Sequence, residues 1–522
     1  MHIKILVTSD IHGHVFPTLY CTKHDQKSLG LAKAASLIKR IHKQATKDTI
    51  VITIENGDLL QGSPLTSYLE KCEKSVAPLI EAVNLLHYDA GVLGGNHEFD
   101  YGRFSLEKAL QVRKYPLLCA NILDEEGQPY FGRAYTIVEK KGVKIAILGL
   151  TTQFVPHWEP AQNITGLHFE SAVATAKKYV PFLQKQADLV LVSYHGGYGE
   201  LVTEVAGGEP IDGADEAFAL SKIPGVAALI TGHQHRRIAT HVNGVPTIQP
   251  GQNGEYVGMI ELEVACKSKT IQQSHATLLP VAHEQPDKEI SALLECFEQR
   301  TQKWLVQPLA RLGAGFQLKN PAQARLEGGH PFVDLLNQVQ LEATGAEISA
   351  VALYSDAVTG FSEQVTIRDV KRNYPFENKL AVLQITGAQL RAALEQNAAY
   401  WDIQAGKIGV RQGAYGPLIP HYNYDLYAGI DYVIDVAQPV GERLIKLKYQ
   451  GKPVQATQQF RLVVSQYRAL GGAFRMYTPK QIVFVCTRSM PEMITDYLQK
   501  NEGLLTPRKI KHNIYQVIMT GR

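Results

Sequence analysis

The chain is short of most features that would assign it quickly. Its six cysteines, Cys21, Cys72, Cys119, Cys266, Cys296 and Cys486, are widely scattered and form no CxxC pair. That excludes a paired-thiol motif and fits reduced, mostly buried thiols in a reducing compartment. No apolar segment approaches the roughly 18 residues of a membrane span, so no membrane partner is expected. Neither sign of charge dominates: the net charge of +3 over 522 residues gives no field for a nucleic-acid polymer or an anionic surface. Repeats and low-complexity tracts are absent. At the amino terminus Met1 and His2 lead at once into the run Ile3 to Val7, with no charged leader or cleavage site, and the expectation is a cytoplasmic protein.

What remains is an ordinary globular composition, 45% apolar and 20% charged, on a chain too long for one core. Over the first 280 or so residues, strand-like and helical patterns alternate. Ile3 to Val7, Ile50 to Ile54, Gly91 to Leu93, Leu189 to Val192 and Ala227 to Ile230 read as buried strands, and Leu29 to Ile41 as a helix. The rhythm predicts a layered α/β fold, a two-sheet sandwich flanked by helices. Near Pro280 the character changes. Asp287 is a candidate N-cap, and Ile290, Leu293, Leu294 and Phe297 share one helical stripe ending around Leu305. The expected division is a first domain over 1–285, a linker helix over 286–319 and a second domain over 320–522.

Each strand-like run of the first half is followed closely by a side chain suited to a divalent metal. "TSDIHGH" supplies Asp10 and His12, two apart on one turn. "ENGDLLQG" supplies Asp58, whose two carboxylate oxygens can bridge cations, and "GGNHEFDYG" supplies Asn96, a neutral oxygen donor. "SYHGGY" gives His195, and "TGHQH" gives His233 and His235. Singly, each has an ordinary reading as a turn, cap or core residue. Jointly, all seven fall past the ends of strands, which in an open α/β sheet meet at one crevice. A mixed imidazole and carboxylate set suits Mn, Zn, Co or Fe better than Ca. Two such ions about 4 Å apart can bring a shared water towards neutrality in pKa and clamp a phosphoryl oxygen.

The order DxH, GD, GNHE, H, GHxH resembles the metallophosphoesterase superfamily over residues 1 to about 265. "GGNHEFDYG" and "LLQGSPL" narrow the resemblance to the 5'-nucleotidase and 2',3'-cyclic-nucleotide 2'-phosphodiesterase family. "RNYPFENKLAVLQITGAQLRAALEQNAAYW", "HYNYDLYAGIDYVID" and "YRALGGAF" resemble that family's carboxy-terminal substrate domain. The resemblance implies an α/β protein with an N-terminal four-layer β-sandwich, a linker helix and a C-terminal α/β substrate-binding domain. It implies two divalent ions, one held by Asp10, His12, Asp58 and His235, the other by Asp58, Asn96, His195 and His233. It also implies that His97 faces the substrate and stabilises or protonates it, with Asp100 orienting His97 from three residues on. Glu98 receives no chemical role.

For a nucleotide substrate, the aromatics Tyr422 and Tyr424 in "HYNYD" and Tyr467 in "YRALGG" are candidate base platforms, Tyr422 and Tyr467 leading by the resemblance and Tyr424 alternatively a core residue, and Gly471 and Gly472 would admit a ligand close to the backbone. One segment departs from the family. Relatives specialised for 5'-nucleotides carry an arginine in an Asn-x-Gly-x-x-Arg stretch, whereas Tyr354 to Ser362 reads "YSDAVTGFS" without one. This points towards the cyclic phosphodiesterase and 3'-nucleotidase branch. The competing readings are a metallophosphatase of nucleotide sugars or other small phosphate esters, and a nucleotide-binding scaffold without activity. A scaffold predicts eroded metal ligands, and here all seven positions carry competent side chains. A nuclease would need a basic stripe, which the sequence lacks. The sequence leaves the oligomeric state open.

Overall fold

The computed structural model describes every residue except 24, 200–213, 328, 414–415, 473–475, 504, 508–514 and 521–522, and the side chains at 96 and 416. It forms two compact units, whose described residues divide between Lys303 and Trp304.

The first unit contains β1 (His2–Thr8), β2 (Thr49–Glu55), β3 (Ala90–Val92), β4 (Leu117–Leu118), β5 (Tyr135–Lys140), β6 (Val143–Thr151), β7 (Leu189–His195), β8 (Val226–Ile230), β9 (Arg237–Val242), β10 (Val245–Pro250), β11 (Tyr256–Val264) and β12 (Ile271–Pro280). They build two six-stranded sheets, in the orders β12-β11-β1-β2-β3-β4 and β9-β10-β8-β7-β6-β5. In the first, β1 to β4 run parallel, and β11 and β12 close the edge antiparallel. In the second, β6, β7, β8 and β10 run parallel between antiparallel β5 and β9. Such central strands are covered on both faces, which is why β2, Thr-Ile-Val-Ile-Thr-Ile-Glu, is buried at every position.

The two sheets pack face to face. Ile3, Ile5, Val7, Ile52 and Ile54 of one sheet join Ile145, Ile147, Leu191 and Ile230 of the other in a single core. On the far face of the second sheet, Leu148, Val190 and Val192 pack against Ala176, Val180 and Leu183 of α2 (Ala172–Leu183), which follows α1 (Leu31–Gln44) in the chain. On the first sheet α1 packs against β11, so helix, sheet, sheet and helix give the four layers.

The helix after Pro280 is α3 (Lys288–Leu305). Asp287 caps it, its Oδ1 accepting from the Glu289 and Ile290 N–H groups at 3.1 Å each. Its surface is tied to the first unit by Lys39 with Asp287 and Glu289 (2.8 and 2.7 Å) and by Tyr20 with Glu298 (2.7 Å). It therefore belongs to that unit; it ends at Leu305, as expected, and the rest of the 286–319 segment is not helical, since Pro308–Arg311 pairs antiparallel with Gln364–Thr366. A second correction concerns the thiols. Cys119 and Cys486 are buried, but Cys72, Cys266 and Cys296 are exposed, the first in the short π-helix Leu69–Glu73, the second in a surface turn and the third on the outer face of α3.

The second unit adds α4 (Pro331–Thr344), β13 (Ile348–Ala352), β14 (Lys379–Thr386), α5 (Gly387–Ala398), β15 (Asp425–Ala428), β16 (Asp431–Asp435), β17 (Leu444–Tyr449), β18 (Lys452–Pro453), β19 (Gln459–Ser465), β20 (Ile482–Ser489), α6 (Met490–Lys500) and β21 (Tyr515–Ile518). Its sheets have the orders β15-β13-β19-β14-β20 and β18-β17-β16-β21 around one core that includes Phe332, Leu383, Leu394, Tyr432 and Leu462. A reciprocal cap between Thr386 and Gln389 turns β14 into α5.

Candidate metal centre

The ends of β1, β2, β7 and β8 deliver the donor side chains. Asp10 and His12 lie just past β1, Asp58 past β2, and His233 and His235 past β8, while His195 is the last residue of β7. Two groups form, in each of which all donor atoms lie within 4.8 Å of one another: Asp10, His12 and His235; and Asp58, His195 and His233. Each group draws from both sheets, so neither can form without the sandwich. Asn96 begins a short turn, Asn96–Glu98, but its side chain lies outside the described residues.

The turns that carry these donors are held in an unusual backbone state. Asp10, His12, Asp58, His233 and His235 all have positive φ, between 48° and 69°. For non-glycine residues this conformation costs about 1 kcal/mol or more each and persists only when neighbours enforce it. The enforcement is visible as rungs between turns. The Asp10 N–H donates to the Gly57 carbonyl (2.9 Å), His12 to Asp58 (2.9 Å), Gly13 to Leu59 (2.8 Å) and Asn253 to Asp10 (2.8 Å). Glycines let the turns interlock: a Cβ on Gly94 would sit 2.1 Å from the Asp58 nitrogen, and one on Gly57 would sit 2.3 Å from the Gly94 Cα.

Protonation follows from the same geometry. His12 Nδ1 lies 2.8 Å from the Gln61 carbonyl, and His195 Nδ1 lies 2.6 Å from that of Asn56. A carbonyl only accepts, so both rings donate from Nδ1 and turn Nε2 towards the cluster, the arrangement of a metal-binding histidine. His12 Nε2 and His235 Nε2 approach to 2.9 Å, with Asp10 Oδ1 3.6 Å from the latter. Asp58 Oδ2 and His195 Nε2 face each other at 3.2 Å without the alignment of a hydrogen bond, and His233 Nδ1 is also buried with no hydrogen-bond partner among the described residues.

Burial pushes the Asp10 carboxyl up to about 7, against the opposing pull of His195. It pushes the His12 imidazole down to about 3 and that of His235 well below its ordinary range. Asp58 is moved the other way: burial would raise it, but the charge of His195 holds it well below the usual carboxylate range. A cation among these groups would replace the proton on His195 and neutralise the carboxylates, so the donor set fits divalent ions.

His97 adjoins the first group, its ring 5.1 Å from that of His12 and perpendicular to it. Its Nδ1 donates to Asp100 Oδ2 at 2.7 Å. Burial alone would lower its pKa, but Asp100, with Asp58 and Glu159 beyond, raises it to about 9. Sequence reasoning left Glu98 without a chemical role; it is buried, and its Oε1 accepts from the Leu59 N–H at 2.9 Å, bracing the turn that carries Asp58.

Comparison with known proteins accounts for both units. Residues 3–237 match the calcineurin-like phosphoesterase model and residues 313–478 the 5'-nucleotidase C-terminal domain model. A crystal structure from Staphylococcus aureus, provisionally assigned as a 5'-nucleotidase, is 33% identical and covers 99% of this chain and 100% of its own, with a TM-score of 0.89. The chain belongs to the 5'-nucleotidase family. Among curated relatives, a Haemophilus influenzae 2',3'-cyclic-nucleotide 2'-phosphodiesterase/3'-nucleotidase is 28% identical over 98% of this chain and 87% of its own length. The Bacillus subtilis trifunctional nucleotide phosphoesterase YfkN is 26% identical over 95% of this chain, which spans only 38% of that longer protein.

In the 5'-nucleotidase C-terminal domain the three tyrosines fare differently. Tyr422 is 42% exposed and Tyr467 half-buried. Tyr424 is fully buried, stacked on Tyr400 with centroids 4.4 Å apart and hydrogen-bonded by the Trp401 indole at 3.0 Å. It is a core residue and offers no face to a base, so of its two readings the core one holds and the base-platform one is corrected. Gly472 lets the Tyr467 ring lie against the backbone, since a Cβ there would meet that ring at 2.5 Å. The segment lacking an arginine receives one from another element: Arg325, itself fully buried, donates to Asp356 at 2.7 Å, and His421 Nε2 approaches the same carboxylate at 3.4 Å.

Proposed function

We propose that this protein is a two-metal phosphohydrolase of nucleotides, with 2',3'-cyclic and 3'-phosphate esters as its favoured substrates. The observation that carries the reading is the pair of buried donor groups, each assembled across the two sheets from a carboxylate and two imidazoles. Asp10, His12 and His235 would hold one ion; Asp58, His195 and His233 the other, joined there by Asn96 on the family pattern. When bound, the two ions supply Lewis acidity at a phosphoryl oxygen and a nucleophile at neutral pH. Mn, Zn, Co and Fe all suit this donor set.

The chain's own residues provide the rest. With Nδ1 engaged by Asp100, His97 can present a proton from Nε2 to the phosphoryl group or the departing oxygen. The Asp100 carboxylate keeps that ring charged and fixes its rotation. The exposed Tyr422 and half-buried Tyr467 are the aromatic platforms for a base, each worth about 1–3 kcal/mol when stacked. The preference for cyclic and 3'-esters is supported by the "YSDAVTGFS" segment and by the names of several full-length relatives.

A hydrolysis panel tests the proposal. With added Mn, Zn or Co, kcat/KM is expected to be higher for 2',3'-cyclic and 3'-nucleotides than for 5'-nucleotides, and to vanish in Asp58→Ala. Preference for 5'-nucleotides would contradict the substrate assignment, and full turnover in Asp58→Ala would contradict the metal chemistry.

A further inference from the structure

Behind the donor groups lies a closed polar network centred on Asn56, a residue described so far only as the carbonyl partner of His195. Asn56 is 0% exposed, and its neighbours Ser9 and Ser193 are 3% and 0% exposed. Every polar group of Asn56 is engaged. Its N–H donates to the Thr8 carbonyl at 2.8 Å. Its own carbonyl accepts from His195 Nδ1 at 2.6 Å, with Ser9 Oγ at 3.4 Å. Its Oδ1 accepts from Ser193 Oγ at 2.7 Å, and its Nδ2 donates to Ser9 Oγ at 3.3 Å and to the Tyr194 carbonyl at 3.5 Å.

The direction of these bonds matters. Because Asn56 Nδ2 gives a proton to Ser9 Oγ, Ser9 can commit its single hydroxyl proton to Asp10 Oδ2, 2.5 Å away. The second oxygen of Asp10 accepts from the His233 N–H at 2.9 Å, so each oxygen has one donor and keeps a lone pair for a cation. On its other side, Asn56 holds His195 through its carbonyl and anchors β7 two residues earlier through Ser193. The turn after β8 closes over the network: a Cβ on Gly232 would lie 2.4 Å from Ser9 Oγ and 3.0 Å from Asn56 Nδ2.

We infer that Asn56 is a positioning residue that sets both metal subsites together, orienting Asp10 of one through Ser9 and His195 of the other through its carbonyl. The inference rests on the two-ion reading above. Partners of this kind change metal affinity by about 10- to 100-fold when removed. Asn56→Asp tests the amide itself. The variant keeps shape and still accepts from Ser193, but it has no N–H for Ser9 or for the Tyr194 carbonyl, so two carboxylates compete for one hydroxyl proton on the Asp10 side and a carboxylate oxygen faces the backbone carbonyl next to His195 on the other.

The experiment is titration calorimetry of Mn²⁺ into the metal-stripped full chain, with circular dichroism to confirm folding. Two ions should bind the wild type, and Asn56→Asp should weaken both by about 10-fold or more. Ser9→Ala, which touches only the Asp10 side, should weaken one ion alone. Should Asn56→Asp fail to fold, Ser193→Ala removes a single hydroxyl from the same network and should again weaken both. Wild-type affinities in the Asn56 and Ser193 variants, or a loss confined to one ion, would overturn the inference and leave the two-ion reading standing. A wild type that binds no ion would instead overturn that reading.

Discussion

At the scale of single residues, the centre is a set of side chains whose neighbours choose their protonation. The carbonyls of Gln61 and Asn56 turn the Nε2 atoms of His12 and His195 towards the clusters, and Asp100 does the opposite for His97 by keeping it charged. These roles separate in mutants. His97→Ala should bind metal as the wild type does while kcat falls by about 10²–10⁴-fold. Metal content measured beside turnover checks this, and normal turnover with full metal would refute the assignment. Six of the seven side chains singled out in the sequence, all but Asn96, come together in the two groups, because each stands three to five residues past an apolar run that becomes a buried strand. The partners that orient them were not legible there. Asn56, Ser9 and Ser193 are ordinary turn and strand residues until two sheets bring them within hydrogen-bonding distance. Tyr424 stayed open between base platform and core for a related reason: an aromatic near a glycine-flanked loop looks the same in sequence whether its ring faces solvent or, as here, Tyr400 and Trp401.

At the scale of elements, strand ends do much of the positioning, and their closing contacts also govern stability. Asp435, the last residue of β16, shows this in the second unit. Its carboxylate accepts from the Ala437 N–H at 3.0 Å, from Gln438 Nε2 at 3.1 Å and from the Thr520 N–H at 3.0 Å, with the Thr520 hydroxyl also donating, and so pins the chain beyond β21. Burial would raise its pKa, but these donors lower it to about 2. A carboxyl depressed in the folded state contributes stability that is present above its ordinary value near 3.8 and lost as pH falls through about 2. Urea midpoints of the wild type and Asp435→Asn should therefore differ at pH 7 and converge between about pH 4 and pH 2. A gap that stays constant across that range would show that the charge is not what matters. The alternation of runs revealed the parallel strands of the first unit, and Asp287 marked the start of α3. That α3 belongs to the first unit was hidden, because the ion pairs of Lys39 with Asp287 and Glu289 join residues far apart in sequence.

At the scale of the whole molecule, the architecture and the proposed chemistry depend on each other. Each sheet alone offers only one or two of the three donors in each group, so the centre exists only because the sheets share a core. Five donors sit in a strained left-handed backbone that an unfolded chain would leave, so ions that bind only the assembled centre should stabilise the fold by mass action. The most direct test of the account is the metal content of the purified chain after dialysis against Mn²⁺, measured by elemental analysis for the wild type and Asp58→Ala. The account predicts two ions per chain in the wild type and fewer in the variant. A metal-free wild type that still hydrolyses nucleotides would contradict it.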